Sequence, residues 1–176
     1  MKGMLVSFDF DRWKPGTRPL PANYPLTTED ATKVLNAGSQ CAERLDVAMS
    51  ICIVDDGANV VLLYRMPHAM LFSLDLAISK AKTAASTRQT THAWARLMRP
   101  SGPMAGAVLP PGLVTIAGGF PLFRSGVLVG GLGISGAERE DIDVASACIT
   151  AGGFDEVDII DALRRSQQNT SEVRVD

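Results

Sequence analysis

Residues 114–141, VTIAGGFPLFRSGVLVGGLGISGAERED, decide the fold. Inside them GLGISG, residues 131–136, spells G-x-G-x-x-G after an apolar run and before a helix-forming segment. A dinucleotide fingerprint of that form requires a parallel strand, a tight glycine turn and a helix N-terminus aimed at pyrophosphate, with an acid about 20 residues on. Asp155 and Glu156 stand near that distance. The candidate strand GVLVGGLGIS, however, reads as the return arm of a hairpin from FPLF through Arg124-Ser125-Gly126, and only about forty residues follow Gly136. They are too few to complete a mononucleotide-binding half, so no NAD site is expected.

Working outward, TTEDATKVLNAGSQCAERL (27–45) places Ala31, Val34, Leu35, Gly38, Cys41, Ala42 and Leu45 at helical spacings. Thr27 with Asp30, or Thr28 alone, caps its first turn. VAMSICIV (47–54) reads as a strand buried on both faces, and VVLLYR (60–65) as its partner across the turn DDGAN. Residues 69–98, AMLFSLDLAISKAKTAASTRQTTHAWARLM, lack proline and predict one long helix, frayed at Thr90-Thr91. RPSGPMAGAVLPPG (99–112) breaks it into a mobile segment. LVTIAGG (113–119) then predicts a further strand before the hairpin, EREDIDVASACITAG (138–152) a last amphipathic helix capped by Ser135 with Glu138, and VDIIDALRR (157–165) a short one. Grouped strands in this order favour an α+β fold with an antiparallel sheet over βαβ alternation.

The whole chain bounds what such a fold can do. Its 176 residues are 46% hydrophobic and 20% charged, enough for one domain with a sizeable core. The domain is placed at 27–165, after a proline-rich arm (1–26) that packs on its own domain or a neighbouring subunit, and before a polar tail (166–176). A net charge of −2 provides no bulk attraction for nucleic acid or an anionic membrane. No apolar run has the length of a membrane span, and Asp9 and Asp11 interrupt any signal-peptide core, so a cytoplasmic protein is expected. Cys41, Cys52 and Cys148 are widely spaced among apolar neighbours and read as buried thiols.

Five ordered motifs resemble one family: the hairpin IVDDGANVVLLYR, the RMPHA that follows, AISKAKTA, the GGFP turn, and GVLVGGLGISGAERED with its acidic end. Over residues 27–153 the chain is similar to the GlcG/HbpS-like family, which includes the C-terminal domain of PduO-type proteins. The resemblance implies a three-layer α-β-α domain, profilin-like, with a central five-stranded antiparallel sheet. It also implies dimer-based homo-oligomers, from tetramer to octamer. Some relatives bind haem; others accompany catabolic pathways. Two departures lie beside the implied pocket: Ala58 stands where a second glycine is common, and Pro67-His68 where relatives often have Asp-Gly.

The resemblance marks Lys80, in AISKAKTA, and Asp141 as family positions. Lys80 is suited to receive a substrate carboxylate or a haem propionate, or to act as a catalytic acid, or else stands as a solvated helix lysine. Arg65, at a strand end, is suited to bidentate anion binding, or to a structural ion pair. His68 is placed to act as a general acid/base, a haem ligand or a metal ligand. Gly118, Gly119 and Phe120 are expected to contact a ligand, the two glycines by exposing backbone N–H groups, or else the glycines simply form a turn. His92 reads as a helix-surface or core residue. Two functions follow as expectations. One is an oligomeric small-ligand-binding protein, haem or another tetrapyrrole first, linked to a catabolic pathway. The other is a small cofactor-free lyase, isomerase or hydrolase acting on a carboxylated intermediate, with Lys80 and Arg65 holding the carboxylate and His68 or Asp141 moving the proton.

Overall fold

A computed structural model of the chain describes residues 26–137 and 140–155. Leu26, fully buried, leads into helix α1 (Thr28–Arg44). The expected capping box closes its first turn: Thr27 Oγ1 accepts from Asp30 N–H at 3.0 Å, and Asp30 Oδ2 accepts from Thr27 N–H at 3.1 Å. Strands β1 (Ser50–Asp55) and β2 (Val60–Arg65) form the first hairpin, helices α2 (Ser73–Thr87) and α3 (Thr91–Met98) follow, strands β3 (Gly119–Arg124) and β4 (Val127–Ser135) form the second hairpin, and helix α4 (Glu140–Ala151) is the last element among the described residues.

Among the described residues the sheet has four strands, in the order β2-β1-β4-β3, and every neighbouring pair is antiparallel. The α+β class stands, with four strands in place of the expected five. The missing strand is the one expected at 113–119. There Val114 N–H donates to Thr83 Oγ1 at 2.9 Å instead of to a strand, and Gly118, at φ +110°, swings the chain into β3 only at Gly119. The single long helix is also corrected. Arg88 adopts the left-handed conformation at φ 55°, and Thr90 Oγ1 accepts from Ala93 N–H at 3.1 Å, capping a separate α3. Threonine competes for backbone N–H groups and so starts helices better than it continues them. The arm at 1–25, the expected helix at 157–165, the tail and Glu138 lie outside the described residues.

Strand alternation sorts the two faces of the sheet. Ile51, Ile53, Phe120, Leu122, Leu132 and Ile134 join the main core beneath α1 and α4. On the other face the register sets Cys52 beside Gly133, itself opposite Gly119, and Val54 beside Gly131. Over these small residues lies α2, presenting Ala77, Ala81 and Ala85, all buried. The approach is backbone to backbone. A β-carbon at Gly133 would collide with the Ala77 carbonyl, and one at Gly131 would come 2.5 Å from the Ala81 carbonyl and 3.0 Å from the Ala85 β-carbon. Gly131 and Gly133 of GLGISG therefore seat α2 on the sheet.

Candidate functional site

The register gathers the expected site residues at one end of the sheet. Ser50 pairs with both Arg65 and Ser135, and Gly119 with Gly133, so the end of β2, the start of β1, the end of β4 and the start of β3 lie side by side. Arg65 ends the outer strand β2 and His68 follows on the connection after it, whereas Gly119 begins the opposite outer strand β3 and Gly118 stands just before it. Three inter-strand steps of about 4.8 Å separate them, roughly 14 Å in all. The end thus carries two clusters.

The first cluster is a buried ion pair. Lys80 extends from α2 and is 2% exposed; its Nζ donates to Asp141 Oδ2 at 2.7 Å and to the Ile134 carbonyl at 2.7 Å. Asp141 Oδ1 accepts from Ala137 N–H at 3.1 Å, which ties the carboxylate to the chain entering α4. Burial pushes the Asp141 carboxyl above its ordinary range, against the opposing pull of the Lys80 ammonium and the Ala137 N–H. Gly118 leaves the room for this pair: a β-carbon there would stand 2.8 Å from Lys80 Nζ and 2.9 Å from Asp141 Oδ2, in a conformation that already favours glycine.

The backbone of the GGFP turn is engaged inside the protein. Gly118 C=O accepts from Ile134 N–H at 2.8 Å, and Gly119 N–H donates to the buried Thr91 hydroxyl at 2.9 Å. Phe120 packs into the main core. Sequence reasoning missed Thr91: the Thr90-Thr91 pair was legible as a weak point in a helix, but its hydroxyl's partner, 28 residues on, was not. Asp155, the acid at the distance a dinucleotide fingerprint asks for, accepts instead from Ser125 and Gly126 N–H at 3.0 and 2.7 Å and closes the β3–β4 turn.

The second cluster is the connection from β2 to α2. Met66 N–H donates to the Met49 carbonyl, and Ala69 N–H donates back to the Met66 carbonyl at 3.2 Å, closing a four-residue turn with Pro67 and His68 at its corners. Arg65 Nη1 braces the turn by donating to the Ala69 carbonyl at 2.7 Å. His68 is exposed and has φ +69°. Met70, Leu71 and Phe72 follow, also exposed, before Ser73 begins α2. Three consecutive large apolar residues cannot all face one side of a helix; that was the available signal that α2 begins later than expected.

His92 lies partly buried on α3, its imidazole held below its ordinary pKa by burial and by Arg96 one turn away. Cys41, Cys52 and Cys148 are buried free thiols, as expected. Among the described residues, no helix is long and apolar enough to cross a membrane.

Comparison with known proteins adds to this geometry. The family model described as "Haem degrading protein HbpS-like" matches residues 26–150. Corrinoid adenosyltransferase PduO of Salmonella typhimurium is 36% identical over 129 residues, 72% of this chain; the chain spans only 38% of the length of PduO. Protein GlcG of Escherichia coli is 29% identical over 110 residues, covering 62% of this chain and 81% of GlcG. The crystal structure of a PduOC:heme complex superposes with a TM-score of 0.70 at 34% identity, covering 74% of this chain and 96% of that one. The chain belongs to the HbpS-like family, the one its five ordered motifs resemble.

Proposed function

We propose that this chain is the subunit of a homo-oligomeric small-ligand-binding protein, with haem or a related tetrapyrrole as its ligand. The observation that carries the reading is the likeness to the PduOC:heme complex, which extends over nearly all of that chain at 34% identity. The chain's own residues fit the group. Haem takes a nitrogen, sulfur or oxygen ligand for its iron, apolar contact for its faces and cations for its propionates. On one connection this chain offers an exposed imidazole at His68, apolar side chains at Met70, Leu71 and Phe72, and the guanidinium of Arg65. Dimer-based assembly agrees with Val60, Leu63 and Tyr64 standing exposed on β2, an outer strand of the sheet among the described residues, and a sheet edge is a surface to which a partner can add. A cytoplasmic place beside catabolic enzymes completes the proposal.

Titration with hemin tests it. A red-shifted Soret band that saturates at one hemin per chain is expected; absorbance that rises linearly, without saturation, would refute the reading. The cofactor-free enzyme is the second reading, favoured by one observation: a buried lysine-aspartate pair with a raised carboxyl pKa is the kind of group found in active sites. In that case Lys80 or Arg65, which stand in separate clusters, receives a substrate carboxylate, Asp141 or His68 moves the proton within the same cluster, and small hydroxy- or keto-acids raise the melting temperature while hemin does not.

A further inference from the structure

We infer that His68 supplies the iron ligand for haem in this chain and that Met70, Leu71 and Phe72 form the apolar surface against which the macrocycle lies. The inference rests on the haem reading and gives it a location.

Backbone geometry makes the first argument. His68 occupies the second corner of the Met66–Ala69 turn at φ +69°, the conformation that glycine adopts freely and a side chain resists. The imidazole is exposed, and among the described residues it has no hydrogen-bond or ion-pair partner that would repay this strain. Of the five described non-glycine residues with positive φ, His68 has the largest value, and such conformations gather at ligand-binding positions.

Next comes rigidity. The segment that carries His68 is held at both ends. Arg65 Nη1 fixes the Ala69 carbonyl; at the far end Ser73 Oγ donates to the Met70 carbonyl at 2.6 Å, and the buried Ser50 hydroxyl lies 2.8 Å from Ser73 Oγ. Ala69 and Ser73 are buried, so the backbone is anchored beneath its own exposed side chains. An iron ligand on such a support needs little ordering when ligand arrives.

The surface itself is the remaining argument. Met70, Leu71 and Phe72 are 50%, 81% and 59% exposed, in immediate succession after the imidazole. A flat apolar group bearing a metal and two carboxylates matches an imidazole, three apolar side chains and the neighbouring Arg65 better than a purely polar ligand would.

The test is a hemin titration of the full chain and of His68→Gly, followed by optical and electron paramagnetic resonance spectra. Glycine suits the turn, so the variant should melt at or above the wild-type temperature, which separates ligation from folding. The expected result is a shifted Soret band, an altered iron spin state and hemin affinity weaker by about tenfold or more, with the wild-type spectrum restored by added imidazole. Leu71→Ser should weaken hemin binding severalfold while keeping the histidine-ligated spectrum. If wild type saturates with hemin and His68→Gly gives the same spectrum and affinity, the iron is held elsewhere and the inference fails while haem binding stands. If wild type itself does not saturate, the haem reading fails and takes this inference with it. An unchanged isotherm for Leu71→Ser overturns the apolar surface, and a fall in oligomer size by light scattering then assigns those residues to a subunit contact.

Discussion

Replacing Lys80 with methionine tests what the buried ion pair does. The substitution keeps most of the side chain's length and removes its charge, leaving Asp141 with Ala137 N–H as its remaining donor and the Ile134 carbonyl without the ammonium. Removing one partner of a buried pair costs about 3–5 kcal/mol, because the other charge stays behind in a medium that cannot solvate it. At roughly 2–4 °C per kcal/mol for a chain of this size, the melting temperature should fall by about 10 °C. The loss should depend on pH. Burial already raises the Asp141 carboxyl, and without Lys80 it rises further. Below its folded pKa the group takes up a proton and its charge disappears, so the penalty should be larger at high pH and shrink as the pH falls toward the ordinary carboxyl range. Lys80→Met combined with Asp141→Leu should recover much of the loss, since an apolar replacement of both partners leaves no orphaned charge. Thermal unfolding followed by circular dichroism measures all three proteins. A Lys80→Met variant that melts within 2 °C of wild type at pH 8, to a rough threshold set by the same conversion, and is defective only with ligand would refute the structural role and return Lys80 to the ligand.

Gly133→Ala should destabilise by about 1–3 kcal/mol or more, because the new methyl meets the Ala77 carbonyl and the Ala81 nitrogen of α2, backbone atoms that no rotamer change can move; chemical denaturation gives the number. His92 contributes a slope in acid: its folded pKa lies below 6.5, so as pH falls through 6.5 the unfolded chain takes the proton first and stability declines until the folded imidazole titrates too. His92→Asn should flatten that part of the stability curve, and an unchanged slope would assign it to other groups. Burial pushes the Cys52 and Cys148 thiols up to about 12, so alkylation followed by mass spectrometry should label them only in denaturant. Rapid labelling of the folded protein at pH 8 would contradict their placement.

Much of the fold was legible because its signals were local. The capping box at Thr27 and Asp30, the helical spacing from Ala31 to Leu45 and the turn residues DDGAN each specify a structure within a few residues. The glycines of 131–136 were legible in kind, as residues that let something approach closely, and the hairpin from FPLF ruled against a parallel strand. The errors came where a distant partner decided the outcome. Thr83 and Thr91 look like ordinary helical threonines, yet their hydroxyls receive N–H groups from residues 31 and 28 positions on. The first holds Val114 against α2, where a further strand was expected, and the second ties the start of α3 to the start of β3. The site divided in the same way. Lys80 and Asp141 were picked out separately as family positions, but that they meet each other depends on α2 and α4 converging on the end of β4, which no spacing encodes.

That convergence also bears on where a ligand can lie. Over Gly131 and Gly133, α2 approaches so closely that a single added carbon has no room, so the face of the sheet beneath it offers no space for a macrocycle. Beside it, the Lys80–Asp141 pair and the Gly119–Thr91 hydrogen bond occupy the polar groups that sequence reasoning had assigned to ligand. The same close packing has a consequence at the other end of α2. The helix begins only where Ser73 joins Ser50, and the residues just before it, Met70 to Phe72, stand outside its packed face. Among the described residues, the exposed Met70, Leu71 and Phe72 and the His68 imidazole at the β2–α2 connection lie clear of that packing, and His68→Gly tests whether the imidazole serves a ligand, apart from the stability of the fold.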